Sequence, residues 1–86
     1  PMSKIIEAAR FAEQCHRGQV RKYNGRPYIE HPMRVAGRMA MRPEATEDAV
    51  AAAWLHDVME DCGIHPDRIA ALFGAEVTFL VSGLTN

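Results

Sequence analysis

The 86-residue chain is 48% apolar, 24% charged and 7% aromatic, which fits one small globular domain and excludes two domains or a disordered tail. No apolar run approaches the roughly 18–20 residues of a bilayer span, and the start lacks a signal-peptide core, so no membrane partner is expected. Net charge is −1, but nine Lys/Arg stand against three Asp/Glu in residues 1–42, and one against eight in residues 43–86. That split does not suit a DNA or RNA binder, which would be basic along a face. It suits an anionic small molecule held next to a metal or a water-activating carboxylate, and it also suits two halves that pair with each other. Cys15 and Cys62 form no CxxC spacing and fit a reducing, cytoplasmic setting, with one disulfide between them left open. A domain this small buries only about 60–65% of its extended surface. Its stability therefore gains from a metal, a partner or more chain.

The pattern predicts an all-α fold of about five short helices. The first covers residues 3–16, with Ser3 as N-cap and a stripe through Ile5, Ala8, Ala12 and Cys15. Residues 17–27 break the periodicity, and Asn24-Gly25 marks a tight turn with very short flanking strands. This basic loop carries Arg17, Arg21, Lys22 and Arg26, with Arg34 just beyond it. A second helix is expected over 32–41, opened by Pro32 and ended by Pro43. Thr46 caps a third, from Glu47 to Val58, whose alanine run allows close helix approach. Residues 59–65 read as a turn around Gly63, and a short fourth helix runs from Pro66 to Gly74. Residues 75–82 read as a helix because no partner strand is visible. Val77, Leu80, Val81 and Leu84 are expected to leave an apolar face there for self-association into a homo-oligomer.

His31, His56, Asp57, Glu60 and Asp61 can carry chemistry. Imidazole and carboxylate together suit a borderline-hard divalent ion such as Mn²⁺, Fe²⁺ or Zn²⁺. Adjacent helical residues point about 100° apart, so His56 and Asp57 share one ion only if it lies beyond the helix end. His31, at the mouth of the second helix, can add a third ligand. Glu60 sits four residues after His56 and can act as general acid/base. Acids near a helix C-terminus oppose its dipole and call for a compensating cation. Arg21 and Lys22 can clamp phosphates, and an Arg can stack on a base. His16, at the end of the first helix, and His65, at an N-cap position, read as structural, and Tyr28 and Trp54 as core or pocket wall.

The stretch from His16 to Pro32, HRGQVRKYNGRPYIEHP, resembles the H-x-G-Q-x-R-K-x-x-G-x-P-Y-I-x-H-P signature of the RelA/SpoT-family hydrolase domain. The run from Ala51 to Asp61, AAAWLHDVMED, is similar to that family's A-A-x-L-H-D-V-x-E-D. Phe73 to Val77 and Val81 to Thr85 resemble its F-G-x-E-V and V-x-G-x-T. The resemblance implies an HD-type helical domain that removes the 3′-pyrophosphate of the guanine nucleotides ppGpp or pppGpp with Mn²⁺. It implies His31, His56 and Asp57 as metal ligands, Glu60 and Asp61 as the acidic pair at the attacking water, and Arg21 and Lys22 as substrate-binding residues. The family carries a further helical segment downstream with a fourth ligand, an Asp, and a substrate-contacting Asn. No residue after Glu76 is acidic here. Residues 1–86 are thus expected to form the N-terminal half of such a domain, truncated, with weak or absent turnover by themselves. Two other functions stay open: another HD-type nucleotide phosphohydrolase, and a non-catalytic nucleotide-binding or regulatory module.

Overall fold

The computed structural model describes residues 3–84. Six helices follow in order: α1 Lys4–Cys15, α2 Glu30–Ala40, α3 Glu47–Leu55, α4 Val58–Cys62, α5 Pro66–Phe73 and α6 Ala75–Leu84. No strand forms among the described residues, so the all-α reading holds. The basic loop is pinned by a single antiparallel bridge between Val20 and Pro27.

Helix α3 is the centre of the bundle. α1, α2 and α6 all pack on it, and α5 packs on α6. The reason lies in its sequence: Ala51, Ala52, Ala53 and Leu55 are fully buried, and three small side chains in a row let neighbours approach from several sides. Thr46 caps it, its hydroxyl accepting from the Ala49 N–H at 3.0 Å. The main core joins Ala8 and Ala12 of α1 to Leu55, Val58, Ile69, Phe73, Val77 and Val81. Phe11 and Phe73 meet edge to face at 5.7 Å, tying α1 to α5.

Four expectations are corrected. The third helix does not continue from Glu47 to Val58: it stops at Leu55, and α4 restarts at Val58, which makes six helices instead of five. The Ala53 carbonyl, which in a continuous helix takes the N–H of Asp57, accepts the His56 Nδ1–H at 2.7 Å. The turn expected over 59–65 is helical as far as Cys62 and ends at Gly63, whose φ of 66° is the left-handed cap that glycine adopts without strain. Helix α2 begins at Glu30, two residues before Pro32, which sits in the first turn where its missing N–H is not needed.

The fourth correction concerns α6. Val77 and Val81 are fully buried in the core, so they cannot form an exposed face for self-association. Phe79 is the exposed residue, at 73%, and with Met39, Ala49 and Leu80 it lines an apolar groove of about 200 Å³. The side chain of Leu84 lies outside the described residues, as do Thr85 and Asn86. Cys15 and Cys62 are free thiols. No helix among the described residues is long and apolar enough to cross a membrane.

Ala52 has no room to grow, because it is enclosed by the main core. Ala52→Leu is expected to cost about 1–3 kcal/mol through overpacking, measured as a shift in the urea unfolding midpoint at unchanged slope.

Candidate metal and nucleotide site

The break between α3 and α4 places His56 and Asp57 at a helix end, and the first turn of α2 brings His31 to the same spot. One ligating atom from each of the three lies within 4.8 Å of the others. Asp57 Oδ2 is the meeting point: His56 Nε2 lies 3.1 Å from it and His31 Nε2 3.6 Å. The two imidazole rings pack edge to face at 5.2 Å. This geometry meets the condition set by the 100° helical offset, since the convergence point lies beyond the end of α3.

The donor chemistry fits a divalent ion. With the Nδ1–H of His56 held by the Ala53 carbonyl, Nε2 is the nitrogen directed at Asp57. A backbone carbonyl fixing one ring nitrogen so that the other can ligate is the usual support for a metal-binding histidine. Burial pushes the His31 pKa down, against the pull of Asp57, so His31 favours the neutral form a ligand needs. The bond from His56 holds the Asp57 carboxyl down at about 2, and the Tyr28 hydroxyl, donating at 2.7 Å, adds to it. His56 is raised in turn by its bond to Asp57. The residues present thus form a three-donor set of two nitrogens and one oxygen for a divalent ion.

The basic loop stands beside this centre. A cavity of about 530 Å³ is lined by Gln19, Arg21, Lys22, Tyr23, Tyr28 and Asp61. Three of the five cations of this region are engaged by carboxylates: Arg17 with Glu13 at 2.7 Å, Arg26 with Glu30 at 2.6 Å, and Arg34 with Glu30 at 3.8 Å. Arg21 and Lys22 make no ion pair among the described residues. They are the cations left to meet an anionic ligand. Arg21 is fixed by its backbone, which donates to the Arg26 carbonyl at 2.8 Å and accepts from Gly25 at 3.0 Å. Its guanidinium lies 5.9 Å from the Tyr28 ring centroid.

The acidic pair divides. Asp61 lines the cavity that holds Arg21 and Lys22, whereas Glu60 faces a different depression with Met59, Ile64 and His65. His65 is an N-cap, its Nδ1 accepting from the Asp67 N–H at 3.0 Å. His16 is buried, 2% exposed, with Nδ1 3.0 Å from Gln19 Oε1. Tyr28 lines the pocket, as expected, but its bond to Asp57 spans 29 residues and leaves no mark in the local pattern.

The sequence profile of the HD domain family matches residues 8–86. The chain belongs to the HD domain family. It is 45% identical over 87 residues to a probable guanosine-3′,5′-bis(diphosphate) 3′-pyrophosphohydrolase of Synechocystis sp., covering 100% of this chain and 11% of that relative. It is 41% identical over 86 residues to the human guanosine-3′,5′-bis(diphosphate) 3′-pyrophosphohydrolase, covering 98% of this chain and 48% of that relative. The solved structure of a metazoan ortholog of SpoT that hydrolyses ppGpp superposes with a TM-score of 0.88 at 34% identity, over 100% of this chain and 49% of that one. The chain thus spans about a tenth to a half of the length of these relatives. The His56-Asp57 pair lies within that match, at the α3–α4 break.

In the metal-free chain, the His56–Asp57 bond makes stability depend on pH in both directions. Asp57 is held at about 2 against an ordinary 3.8, so its share is present above 3.8 and lost as pH falls toward 2. His56 is raised above 6.5, so its share is present below 6.5 and lost as pH rises through the raised value. The difference in urea midpoint between the wild type and Asp57→Asn is therefore expected to peak between 3.8 and 6.5 and to shrink on both sides.

Proposed function

We propose that this chain is the N-terminal part of a Mn²⁺-dependent (p)ppGpp 3′-pyrophosphohydrolase domain acting in the cytoplasm. One observation carries the reading: a His31, His56, Asp57 donor set lies beside a cavity that presents Arg21, Lys22 and Asp61. The names of the relatives and the metazoan structure support the substrate class. The donor set of two imidazoles and a carboxylate suits Mn²⁺ among borderline-hard ions. Two cations around one cavity, instead of a basic stripe, favour a nucleotide over a nucleic-acid strand.

When bound, the divalent ion supplies Lewis acidity toward a phosphoryl oxygen and toward water. His31, His56 and Asp57 hold it. Arg21 places its planar guanidinium against the guanine base, and Lys22 offsets phosphate charge as a point cation. Asp61, across the same cavity, accepts the proton of the attacking water. Glu60, the second carboxylate of the pair, adds negative charge at the same helix end. The proposed homo-oligomer contact uses Phe79 and the groove beside it. Phe79→Ser is expected to lower any dimer fraction found by equilibrium sedimentation.

The test is ppGpp hydrolysis with Mn²⁺, by the 86-residue chain and by a chain extended through a downstream segment bearing a further Asp. The short chain is expected to be slower by at least the 10–100-fold that an outer-sphere change costs (about that scale). His56→Ala is expected to abolish turnover in the extended chain. A nucleotide panel in which ppGpp is not preferred would assign the site to a different HD-type phosphohydrolase. ppGpp binding by a chain that takes up no Mn²⁺ on titration would make it a regulatory module.

A further inference from the structure

Tyr28 belongs to both parts of the site at once. Its hydroxyl donates to Asp57 Oδ2 at 2.7 Å, the oxygen on which the two histidines converge. Its ring lines the cavity, with the Arg21 guanidinium 5.9 Å from the centroid. A buried imidazole, His16, packs against it at 4.8 Å, and His31 meets it edge-on at 5.7 Å. His16 is itself held through Nδ1 and Gln19 Oε1 at 3.0 Å. The Gln19 carbonyl also accepts the Tyr28 N–H at 2.9 Å, which fixes the backbone at the ring's root. A ring contacted in this way by three side chains has little rotamer freedom, so its hydroxyl is delivered to one place.

We infer that Tyr28 is a positioning residue that links the nucleotide cavity to the metal centre: its hydroxyl orients Asp57 for ligation while its ring supports Arg21 against the base. The inference rests on the metal and nucleotide reading above. Physically, a phenol bonded to Oδ2 removes the rotational freedom of the carboxylate, so less ordering remains to be done when a cation arrives. The same ring sets where the guanidinium lies, so a ligand that presses on Arg21 also presses on the support of Asp57. Phenylalanine at position 28 keeps the support and loses the orientation. Leucine loses both.

The experiment titrates Mn²⁺ alone by electron paramagnetic resonance, and ppGpp alone in EDTA by calorimetry, against wild type, Tyr28→Phe and Tyr28→Leu. Tyr28→Phe is expected to weaken Mn²⁺ by about 10–100-fold and to leave metal-free ppGpp binding unchanged. Tyr28→Leu is expected to weaken both. The chain has two tyrosines and one tryptophan, so Tyr23→Phe leaves Tyr28 as the single tyrosine, and its band is read by ultraviolet resonance Raman, which separates phenol from indole modes. Mn²⁺ is expected to shift its ultraviolet band as Asp57 takes up the cation, a readout that needs no change at Tyr28 itself. Equal Mn²⁺ affinity in wild type and Tyr28→Phe, or an unmoved band on saturation, overturns the orienting role. Undiminished ppGpp binding by Tyr28→Leu overturns the support of Arg21. A wild-type chain that binds no Mn²⁺ overturns the metal reading beneath this inference as well, which separates the two failures.

Discussion

Because Ala51, Ala52 and Ala53 carry nothing beyond Cβ, α1, α2 and α6 can all lie close against α3, and this packing fixes where the site can be. A helix enclosed along most of its length has little surface of its own to offer a polar ligand. Its chemistry must come from its end, where side chains leave the bundle. That end is His56-Asp57. α2 packs along α3 in the orientation that brings its first turn, with His31, level with the last turn of α3. The donor set is therefore a consequence of helix packing and needs no dedicated loop.

The break between α3 and α4 shows how a local polar contact decides a boundary. Helix propensity favours continuation through Val58, and nothing in the apolar periodicity opposes it. The His56 imidazole nevertheless donates to the Ala53 carbonyl, and the chain turns before Val58 enters the core. Such side-chain competition for a backbone acceptor is invisible to periodicity. Several other boundaries were legible because they rest on strong local chemistry. Ser3 and Thr46 cap α1 and α3 through their hydroxyls, Pro66 opens α5, and Gly63 and Gly74 end α4 and α5 with positive φ.

The site was legible to a different depth at each residue. His56-Asp57 could be read as a pair, but its convergence with His31 needed the packing of α2 on α3. The misplacement of Val77 and Val81 on an open face has a plain cause: a short helix with apolar residues on most sides does not show which side is inside. Tyr28 was legible as pocket wall because it is aromatic and follows a basic turn. Its bond to Asp57 was not, since it joins two elements through one hydroxyl.

Charge explains which side of the site faces a ligand. Arg17 pairs with Glu13, while Arg26 and Arg34 share Glu30, each four residues away, and with the arginines largely exposed these pairs contribute little stability. Their effect is to offset two of the three charges in the local field. What remains in the cavity is Arg21 and Lys22 together with Asp61, with Asp57 ionised at the candidate metal site beside it. An anion entering there meets two unneutralised cations and needs a further positive charge to approach Asp57 and Asp61 without repulsion. In the proposed reading a divalent ion on His31, His56 and Asp57 would provide it. Glu60 lines a different depression, and of the two acids Asp61 is the one that shares the cavity with Arg21 and Lys22.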